Sequence, residues 1–558
     1  MESRTPRERI LIVGGVAGGM SAATRLRRLD EFAQIIVFER GPYVSFANCG
    51  LPYFVGGVIS DRSALLMQTP ETLASRFRLD VRTGQEVIAI DRTMHTVSVR
   101  DVITGEQVEE QYDRLILAGG ATTAVTGDDR PRIPTFTLRT IDDVDHITMA
   151  LSSHLGVATA VVIGAGFIGM EATENLVRRG VHVVLVQRGR HVLSPLDPEM
   201  ADIAVQHLRA AGVDVRTSTT VRSVGENIVT LSDGTAVDAQ LIVSATGVRP
   251  DTSLAEDAGL RIGESGGIWV DLEQRTSDER IFAVGDGTEK TDAITGQGLL
   301  VTMAGLANRH GRAAADSIAG VSMAAEPALG TAIVGLFDLT IAMIGWSEHR
   351  LRASGRPHRV IHTHPQSHAT YYPGAEAMHV KLLVDPVSDA ILGAQIVGGA
   401  GVDKRIDILA TAMAGGISAS NLSRLELAYA PQYGSAKDPI NQLGYVADNL
   451  ARGTTATVQW HELAEARKAG IHLIDVRSAA EYEAGHIPGA KNIPLDDLRE
   501  RLDELPSGPL VVLCQVGQRG HTAARLLGQH GYAVRNLDGG YLTWMSGTAS
   551  ETERREMA

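Results

Sequence analysis

Two glycine-rich turns, each set between an apolar strand pattern and a helix pattern, constrain the fold of this 558-residue chain most strongly. The first lies in RILIVGGVAGGMSAATRLRRLD and is followed by the strand-like segment AQIIVFER. The second lies in TAVVIGAGFIGMEATENLVRRG and continues into VHVVLVQR. The succession of strand, glycine turn, helix and strand is typical of a dinucleotide-binding βαβ unit. Two such units in one chain predict two dinucleotide sites.

The second turn satisfies the full G-x-G-x-x-G spacing with Gly164, Gly166 and Gly169. Glycines at these places permit a tight turn, let the backbone approach a pyrophosphate and aim the helix N-terminus at its negative charge. Ile168 lies within the same turn and belongs to the predicted site. The flanking strand and helix favour a dinucleotide site over a glycine turn that binds nothing.

The segment after the second unit bears on the choice between NADH and NADPH. A carboxylate at the end of this strand favours NADH, but the chain has Gln187 there, followed by Arg188 and Arg190. The amide can bond a ribose hydroxyl, whereas the guanidinium groups either pair with the 2′-phosphate of NADPH or remain solvated loop charges. We predict that Gln187 and Arg188 contact a nicotinamide nucleotide, with a slight bias toward NADPH acceptance and the preference left open.

The first turn departs from this spacing, because Val16 takes the place of the middle glycine between Gly14 and Gly19. Glu39 closes the following strand, where a carboxylate can accept hydrogen bonds from ribose hydroxyls. The predicted contacts of the first dinucleotide are Gly14, Val16, Ala17, Gly19, Glu39 and Arg40.

Two later segments complete a pattern that resembles the two-dinucleotide-fold flavoprotein reductases. They are YDRLILAGG, a strand that ends in glycines, and TSDERIFAVGD, a short strand that ends near an acidic residue. The resemblance covers residues 8 to 445 and implies FAD in the first unit and NADH or NADPH in the second. It also implies that Asp286 contacts the ribityl chain of the flavin.

Only two cysteines occur, Cys49 and Cys514, and they lie in segments that look like separate domains. A structural disulfide is therefore not expected, and a metal site is not predicted because soft ligands are too few. Cys49 has no cysteine close enough for a local disulfide, so its second thiol equivalent must be a substrate or an oxidised form of its own sulfur. We expect the helix dipole and the flavin to lower the pKa of this thiol.

The segment SFANCGLPY around Cys49 resembles the coenzyme A-disulfide reductase branch, which is related to single-cysteine NADH oxidases and peroxidases. The resemblance implies that Cys49 forms a mixed disulfide with coenzyme A beside the flavin. It further implies that Ser45 and Asn48 contact the substrate, with Asn48 also at the cofactor.

Coenzyme A requires a site for its phosphates, and the first helix carries Arg25 and Arg28 three residues apart on one face. Arginines on a helix are usually solvated surface charges, but the resemblance implies that Ser21, Arg25 and Arg28 bind the substrate. Asn308 falls where some members carry a substrate-contacting histidine, and its role stays open.

A third region, from about residue 330 to 445, has alternating segments that predict an antiparallel sheet. The resemblance implies that this region is a dimerisation domain and that the protein is a homodimer. Tyr371 and Tyr429 would then reach the cysteine of the partner subunit, and Lys437 would help to bind the substrate. Interface tyrosines also serve as packing alone.

The C-terminal segments LIDVRSAAEYEAGHIPGAKNIP and VVLCQVGQRGHTAARLL resemble a rhodanese domain over residues 456 to 548. Cys514 begins the loop CQVGQR, whose backbone N–H groups can surround a thiolate or persulfide, and Arg519 adds positive charge. Asp475 and Arg477 are predicted to hold the fold. The alternative is an inactive rhodanese fold used for docking.

The predicted fold class is α/β, with two Rossmann-like dinucleotide-binding domains, an α+β dimerisation domain and a C-terminal rhodanese α/β domain. The predicted domains are FAD-binding, 1–150 with 270–325; NAD(P)H-binding, 151–269; dimerisation, 326–448; a linker, 449–455; and rhodanese, 456–558.

The net charge of -14 lacks a long basic run, which argues against a nucleic acid or an anionic membrane as a partner. No apolar stretch reaches the length of a membrane span, so we expect a cytoplasmic protein.

These features predict an NAD(P)H-dependent flavoprotein that reduces coenzyme A persulfide, polysulfide or disulfide, coupled to rhodanese sulfur transfer. Two alternatives stay open. One is an NADH oxidase or peroxidase that works through a sulfenic acid of Cys49. The other is a redox-sensing sulfur-carrier module.

Overall fold

The computed structural model describes residues 8–123, 132–152, 156–321 and 324–556. They fall into two compact units. One contains the chain up to residue 186 together with 219–329, and the other contains 187–218 together with the chain from 330 onward. Among the described residues no helix combines the length and the apolarity needed to cross a bilayer.

The chain up to residue 186 contains the strand–helix–strand segments of both predicted βαβ units. Its strands and helices are β1 (Arg9–Val13), α1 (Ala17–Leu29), β2 (Gln34–Glu39), α2 (Leu51–Val55), α3 (Pro70–Phe77), β3 (Asp80–Thr83), β4 (Gln85–Asp91), β5 (Thr96–Asp101), β6 (Gln107–Gln111), β7 (Arg114–Leu117), β8 (Ala121–Thr123), β9 (Thr135–Phe136), α4 (Ile141–Ser152), β10 (Thr159–Ile163), α5 (Phe167–Arg178) and β11 (His182–Val186).

Residues 187 to 321 follow with mostly short elements. They are α6 (Pro198–Ala210), β12 (Asp214–Arg216), β13 (Val221–Val224), β14 (Ile228–Leu231), β15 (Ala236–Asp238), β16 (Leu241–Ser244), β17 (Val248–Pro250), α7 (Ser253–Asp257), β18 (Ile281–Ala283), β19 (Lys290–Thr291), β20 (Gly298–Leu299) and α8 (Ala304–Ile318).

The first unit contains two parallel sheets. One has the strand order β18-β7-β1-β2-β3, so that the strand of TSDERIFAVGD lies beside that of YDRLILAGG, and the other contains β11-β10-β16-β9. Ile10, Leu11 and Ile12 in β1 are all buried, as expected where both faces of a parallel sheet are covered. Helix α8 packs closely on α1, because a Cβ at Gly311 would lie 2.2 Å from the carbonyl oxygen of Gly18.

The chain from residue 330 onward begins with the predicted antiparallel sheet and ends with a second α/β region. Its elements are β21 (Ala332–Leu336), β22 (Leu339–Gly345), α9 (Glu348–Ala353), β23 (Arg359–Thr363), β24 (Met378–Val384), β25 (Ile391–Gly398), α10 (Val402–Ala414), α11 (Pro439–Ala451), β26 (Thr457–Val458), α12 (Leu463–Lys468), β27 (His472–Asp475), α13 (Ala479–Glu483), β28 (Lys491–Asn492), β29 (Leu510–Leu513), α14 (Gln518–Gln529), β30 (Val534–Leu537) and α15 (Gly540–Glu556).

The antiparallel sheet has the order β21-β22-β25-β24-β23, and the C-terminal parallel sheet has the order β26-β30-β29-β27-β28. Helix α11 continues through Ala451 and so enters the segment 449–455 that was predicted as a linker. Leu443 and Ala447 on this helix are buried, so packing extends the helix into the polar segment.

A buried ammonium group, Nζ of Lys381 in β24, contacts three buried carboxylates of the second unit. It lies 2.9 Å from Oδ2 of Asp197, 2.5 Å from Oε1 of Glu199 and 2.6 Å from Oε2 of Glu348. The three carboxylates are close enough together to hold a metal ion, but the ammonium group occupies the position of the cation. Burial alone would lower the pKa of Lys381, whereas the carboxylates raise it above its usual value.

His362 in β23 connects this cluster to the C-terminal region. Its Nδ1 lies 2.7 Å from Oδ2 of Asp538, and its Nε2 lies 3.1 Å from Oε1 of Glu199. Burial would lower the pKa of His362, but the two carboxylates raise it to about 9. The imidazole is therefore charged at neutral pH, and its contribution to stability is lost as the pH rises through about 9.

We expect Lys381→Met to destabilise the protein by about 3–5 kcal/mol, because three buried carboxylates would lose their shared cation. Denaturant unfolding followed by tryptophan fluorescence measures this change. The matched control is Lys468→Met, which removes an exposed pair with Glu465 and should change stability by less than about 1 kcal/mol. Equal effects of the two substitutions would contradict the assignment.

Candidate active sites

The first glycine turn is too crowded for side chains at its outer positions. Gly14 has φ +102°, and a Cβ there would lie 2.3 Å from the carbonyl oxygen of Ala118. A Cβ at Gly19 would lie 2.0 Å from the carbonyl oxygen of Gly14. Helix α1 begins at Ala17 after Val16, and among the described residues the N–H groups of residues 17–19 have no acceptor. They are therefore available to a phosphate.

Glu39, at the end of β2, is bound to the same turn. Its Oε2 accepts the N–H of Gly15 at 2.8 Å, and its Oε1 accepts the N–H of Gly41 at 2.8 Å. Each carboxylate oxygen retains a further lone pair, so hydrogen bonds from ribose hydroxyls remain possible. The neighbouring Arg40 is exposed and lies 3.6 Å from Asp251.

The second turn repeats the geometry of the first. Gly164 has φ +101° with a Cβ position 2.3 Å from the carbonyl oxygen of Ala245, and a Cβ at Gly169 would lie 1.9 Å from that of Gly164. Gly166 differs, because a Cβ there would meet nothing within 4 Å. Ile168 is partly exposed at 37% on the first turn of α5. The open space at Gly166 fits a pyrophosphate, and so do the N–H groups at the start of α5, which have no acceptor among the residues that the structure describes.

The residues predicted to choose between NADH and NADPH directly follow β11. The side-chain amide of Gln187 donates to the carbonyl oxygen of His191 at 3.4 Å, while Arg188 and Arg190 are exposed. These contacts are compatible with either nucleotide, and the preference stays a prediction.

Asp286 lies in a short 3-10 helix, Gly285–Gly287, after β18. Burial raises the pKa of its carboxyl group, while Lys290 and Arg139 oppose the rise. Lys290 is itself buried and donates to the carbonyl oxygens of Gly285 at 2.5 Å and Thr288 at 2.8 Å. Burial lowers the pKa of Lys290 to about 8. The sequence offered no pattern that distinguished this lysine from a surface lysine.

Cys49 is exposed and lies in the 3-10 helix Asn48–Gly50, directly before α2. Its segment is attached to the first glycine turn, because the N–H of Ser45 donates to the carbonyl oxygen of Gly15 at 2.8 Å. Ser45 itself has φ 49°, a left-handed conformation that is uncommon for serine. The thiol is thus positioned beside the turn predicted to hold the flavin nucleotide.

The protein by itself raises the pKa of the Cys49 thiol rather than lowering it. Desolvation by the surrounding protein is the largest cause, followed by the negative charges of Glu171 and Asp286. From the sequence we expect the helix dipole and the flavin to lower this pKa. The contribution of the chain alone has the opposite sign, so stabilisation of the thiolate has to come from bound groups.

Glu171 and Tyr53 form a half-buried pair that the sequence did not predict. The hydroxyl of Tyr53 donates to Oε1 of Glu171 at 3.3 Å. Burial raises the pKa of Glu171 to about 7 and that of Tyr53 to about 12. Glu171 follows Gly169 by two residues, and Tyr53 follows Cys49 by four. Their positions beside two recognised motifs were the available signal.

The predicted substrate residues of α1 have different surroundings. Oγ of Ser21 donates to Oδ1 of Asn308 at 2.7 Å, which brings together a predicted residue and one whose role was open. Nε of Arg25 lies 2.6 Å from Oδ1 of the buried Asp316. Arg28 is exposed and lies over the ring of Phe77. Arg28 is therefore the more available of the two cations.

The two tyrosines predicted to act together are hydrogen-bonded to each other. The hydroxyls of Tyr371 and Tyr429 lie 2.6 Å apart, and the two side chains are 73% and 48% exposed. This bond raises the pKa of Tyr429. Lys437 is also exposed, and its carbonyl oxygen accepts hydrogen bonds from Ser435 and Gln442.

The C-terminal loop surrounds a buried cysteine, Cys514, which directly follows β29. Within the described part of the chain, the N–H groups of residues 515–519 have no acceptor. The N–H of Tyr541 donates to the carbonyl oxygen of Cys514 at 2.8 Å, which attaches the start of the loop to the first turn of α15. The free N–H groups are suited to stabilise a thiolate or persulfide.

Both arginines of this loop region have carboxylate partners. Arg519 donates to Oε2 of Glu481 at 2.8 Å and to Oε1 at 2.6 Å. Arg477 is buried and donates to Asp475, as the sequence analysis predicted for a structural pair, and also to Oε1 of Gln515. An open cavity of about 400 Å³ beside the loop is lined by Arg477, Glu481, Ala484, Gly485, Gln515 and Tyr541.

Comparison with known families identifies three regions of this chain. Residues 8–306 match the pyridine nucleotide-disulphide oxidoreductase family. The chain belongs to that family. Residues 331–438 match the dimerisation domain of the pyridine nucleotide-disulphide oxidoreductases, and residues 459–546 match the rhodanese-like domain. The predicted family and the predicted fold class are confirmed.

Several members of the pyridine nucleotide-disulphide oxidoreductase family are similar over most of their length. The coenzyme A disulfide reductase of Staphylococcus haemolyticus is 34% identical over 443 residues, 79% of this chain and 100% of the relative. The crystal structure of reduced Bacillus anthracis CoADR-RHD has a TM-score of 0.95 and 42% identity, covering 98% of this chain and 99% of that chain.

Two further structures extend the comparison. A NAD-dependent persulfide reductase from A. fulgidus has a TM-score of 0.88 and 36% identity, covering 96% of this chain and 100% of that chain. A water-forming NADH oxidase from Lactobacillus brevis has a TM-score of 0.76 and 23% identity over 80% of this chain and 99% of that chain, and it shares the fold.

Substitutions in the second turn separate folding from nucleotide binding. Gly169→Ala should destabilise the protein by about 1–3 kcal/mol, because its Cβ would overlap the carbonyl oxygen of Gly164. Gly166→Ala enters open space with φ -80°, so it should fold normally but bind NADH and NADPH at least tenfold more weakly. Thermal unfolding and nucleotide titration measure the two effects. Unchanged nucleotide binding by Gly166→Ala would contradict the assigned site.

Glu171→Gln should lower the pKa of Cys49, because it removes a negative charge that opposes the thiolate. Glu171 is ionised only above a pKa of about 7, so we expect roughly threefold faster alkylation of Cys49 at pH 8 and no difference at pH 6. The measurement is iodoacetamide labelling of flavin-loaded protein in a Cys514→Ser background. Glu106→Gln, at an exposed carboxylate, is the control. The same rate ratio at both pH values would contradict this assignment.

Proposed function

We propose that this protein uses NADH or NADPH to reduce a disulfide or persulfide of coenzyme A through Cys49, and that its rhodanese domain transfers sulfane sulfur. The observation that carries the proposal is the position of Cys49. It is exposed, attached to the first glycine turn through Ser45 and Gly15, and accompanied by no second cysteine except Cys514 in the rhodanese loop. The names of the Staphylococcus haemolyticus and A. fulgidus relatives support the same chemistry.

The Cys49 thiolate would attack one sulfur of the substrate. With coenzyme A disulfide, a Cys49–coenzyme A disulfide forms and one coenzyme A thiolate leaves. With coenzyme A persulfide, attack on the sulfur nearer to coenzyme A forms the same mixed disulfide and releases hydrogen sulfide as HS⁻. Bound FAD supplies the two electrons from NADH or NADPH that return the mixed disulfide to two thiolates. Both routes therefore converge on one cysteine.

The surrounding side chains would bind coenzyme A and hold a proton near Cys49. The Tyr53–Glu171 pair holds a proton near neutral pH, so a neutral Glu171 lessens the charge that opposes the Cys49 thiolate. Arg28 offers an exposed cation for the phosphates of coenzyme A, and Ser21 with Asn308 offers polar contacts.

The hydrogen-bonded hydroxyls of Tyr371 and Tyr429 form a donor pair for the sulfur site of a partner subunit in a homodimer, together with Lys437. The match to the dimerisation domain supports the homodimer. Two free thiols fit a reducing compartment, so we expect a cytoplasmic protein.

The main assay is anaerobic oxidation of NADH and NADPH by flavin-loaded protein, with coenzyme A disulfide and coenzyme A persulfide compared and sulfide quantified. Faster turnover of the persulfide with one sulfide per nucleotide oxidised would identify persulfide reduction as the main reaction. Preference for the disulfide would identify a reductase of the thiol pool. Oxygen consumption that exceeds both rates would instead favour an oxidase.

Cysteine substitutions assign the two reactions to separate sites. Cys49→Ser should lower NAD(P)H oxidation with either coenzyme A substrate by more than about 100-fold, because no covalent intermediate can form. Cys514→Ser should retain coenzyme A disulfide reduction but lose sulfur transfer. The flavin absorbance spectrum of each variant verifies that FAD is bound. Persulfide-dependent oxidation that survives Cys49→Ser would contradict the proposal.

A further inference from the structure

The charges around the rhodanese cavity balance each other. Arg477 is bonded through two nitrogens to Asp475, and Arg519 is bonded through two nitrogens to Glu481. These two pairs together contain two guanidinium groups and two carboxylates, so their formal charges cancel. An incoming dianion finds each cation already paired, with Cys514 adding a further negative charge when it is a thiolate.

Glu481 is the member of this set that lies both in the cavity wall and against the loop arginine. It lines the cavity, and its two oxygens hold the two terminal nitrogens of Arg519. The side chains of Glu481 and Arg519 are 35% and 39% exposed, so the pair borders solvent. Hydrogen bonds from Arg519 lower the pKa of Glu481 to about 2, which keeps it ionised.

The cavity wall also contains an aromatic ring and small residues that suit an uncharged group. The ring of Tyr541 lies under the guanidinium group of Arg477 at 4.2 Å, and the cavity is completed by Ala484 and Gly485. An organic chain can pack against these residues, whereas a small oxyanion gains nothing from them. The N–H groups of residues 515–519 lie at the end of the loop where transferred sulfur would reside.

We propose that Glu481 is a specificity-determining residue that restricts sulfur loading of Cys514 to monoanionic organic persulfides and excludes thiosulfate. This inference rests on the proposed sulfur transfer by the rhodanese domain. Cys514 Sγ forms a bond to the outer sulfur of R–S–S⁻ while the S–S bond of the donor breaks and R–S⁻ leaves. With thiosulfate, the leaving group is sulfite. Neither transfer requires an electron donor or acceptor.

Glu481→Gln removes the charge while it preserves the local fold. The N–H and Oγ of Ser478 both donate to Oε2 of Glu481, and Oγ of Ser478 accepts the N–H of Glu481 in a capping box at the start of α13. Glutamine serves equally well in such a box. Glu462→Gln is a matched control, because Glu462 completes the capping box with Gln459 in the same domain but does not line the cavity.

The experiment uses the full-length, flavin-loaded chain with Cys49→Ser, so that loaded sulfur is not consumed. The rate of persulfide formation on Cys514 is measured by peptide mass spectrometry with 2-hydroxyethyl persulfide, a monoanion, and with thiosulfate, a dianion. We expect at least tenfold faster loading from 2-hydroxyethyl persulfide. Glu481→Gln should reduce this preference about tenfold by speeding thiosulfate loading, whereas Glu462→Gln should leave it unchanged.

A second measurement needs no substitution at Glu481. Since the preference is electrostatic and the pair borders solvent, it should shrink as salt is raised. An unchanged preference in Glu481→Gln, or one that does not respond to salt, would overturn the inference. Equal loading from both donors would overturn it while leaving sulfur transfer intact, and loading from neither donor would overturn the proposed sulfur transfer itself.

Discussion

The contact between helix and strand at each glycine turn is the constraint on which both nucleotide units depend. At Gly19 and Gly169 a Cβ would lie within about 2 Å of the carbonyl oxygen of the first glycine of the same turn. The helix can begin at this point only because the side chain is absent. Its free N–H groups then project beyond the sheet, where a pyrophosphate can accept them. The two turns therefore have the same backbone arrangement at their outer glycines, although Val16 replaces the middle glycine in the first turn.

The same turn positions the redox cysteine. Ser45 donates its N–H to the carbonyl oxygen of Gly15, so the segment that carries Cys49 starts from the backbone of the first turn. Desolvation by the surrounding protein, followed by the negative charges of Glu171 and Asp286, raises the pKa of the thiol and opposes thiolate formation. The Cys49 thiolate is therefore stabilised only when bound groups supply compensating interactions. The rhodanese loop differs from the Cys49 site. In the described part of the chain, the five N–H groups that directly follow Cys514 have no acceptor and can stabilise its thiolate.

Buried charge has distinct roles in the two units. Around Lys381, one ammonium group satisfies three carboxylates and leaves no place for a metal ion. Around Glu171, the hydroxyl of Tyr53 is the hydrogen-bond partner of a single carboxylate, and its pKa rises to about 7. Carboxylates that share a buried cation form a structural cluster, whereas a carboxylate paired with a neutral hydroxyl titrates near neutral pH.

Local order in the sequence was enough to predict both glycine turns, the alternating strands of the third region, the cysteine segment and the CQVGQR loop. Each depends on residues adjacent in the chain, where spacing alone encodes the geometry. Which distant side chains meet became visible in the folded chain alone. Tyr53 with Glu171, Arg25 with Asp316 and Arg519 with Glu481 are pairs separated by 118, 291 and 38 residues. Such pairs depend on how distant segments pack and on which side chains become buried. The spacing of residues within one segment does not determine either.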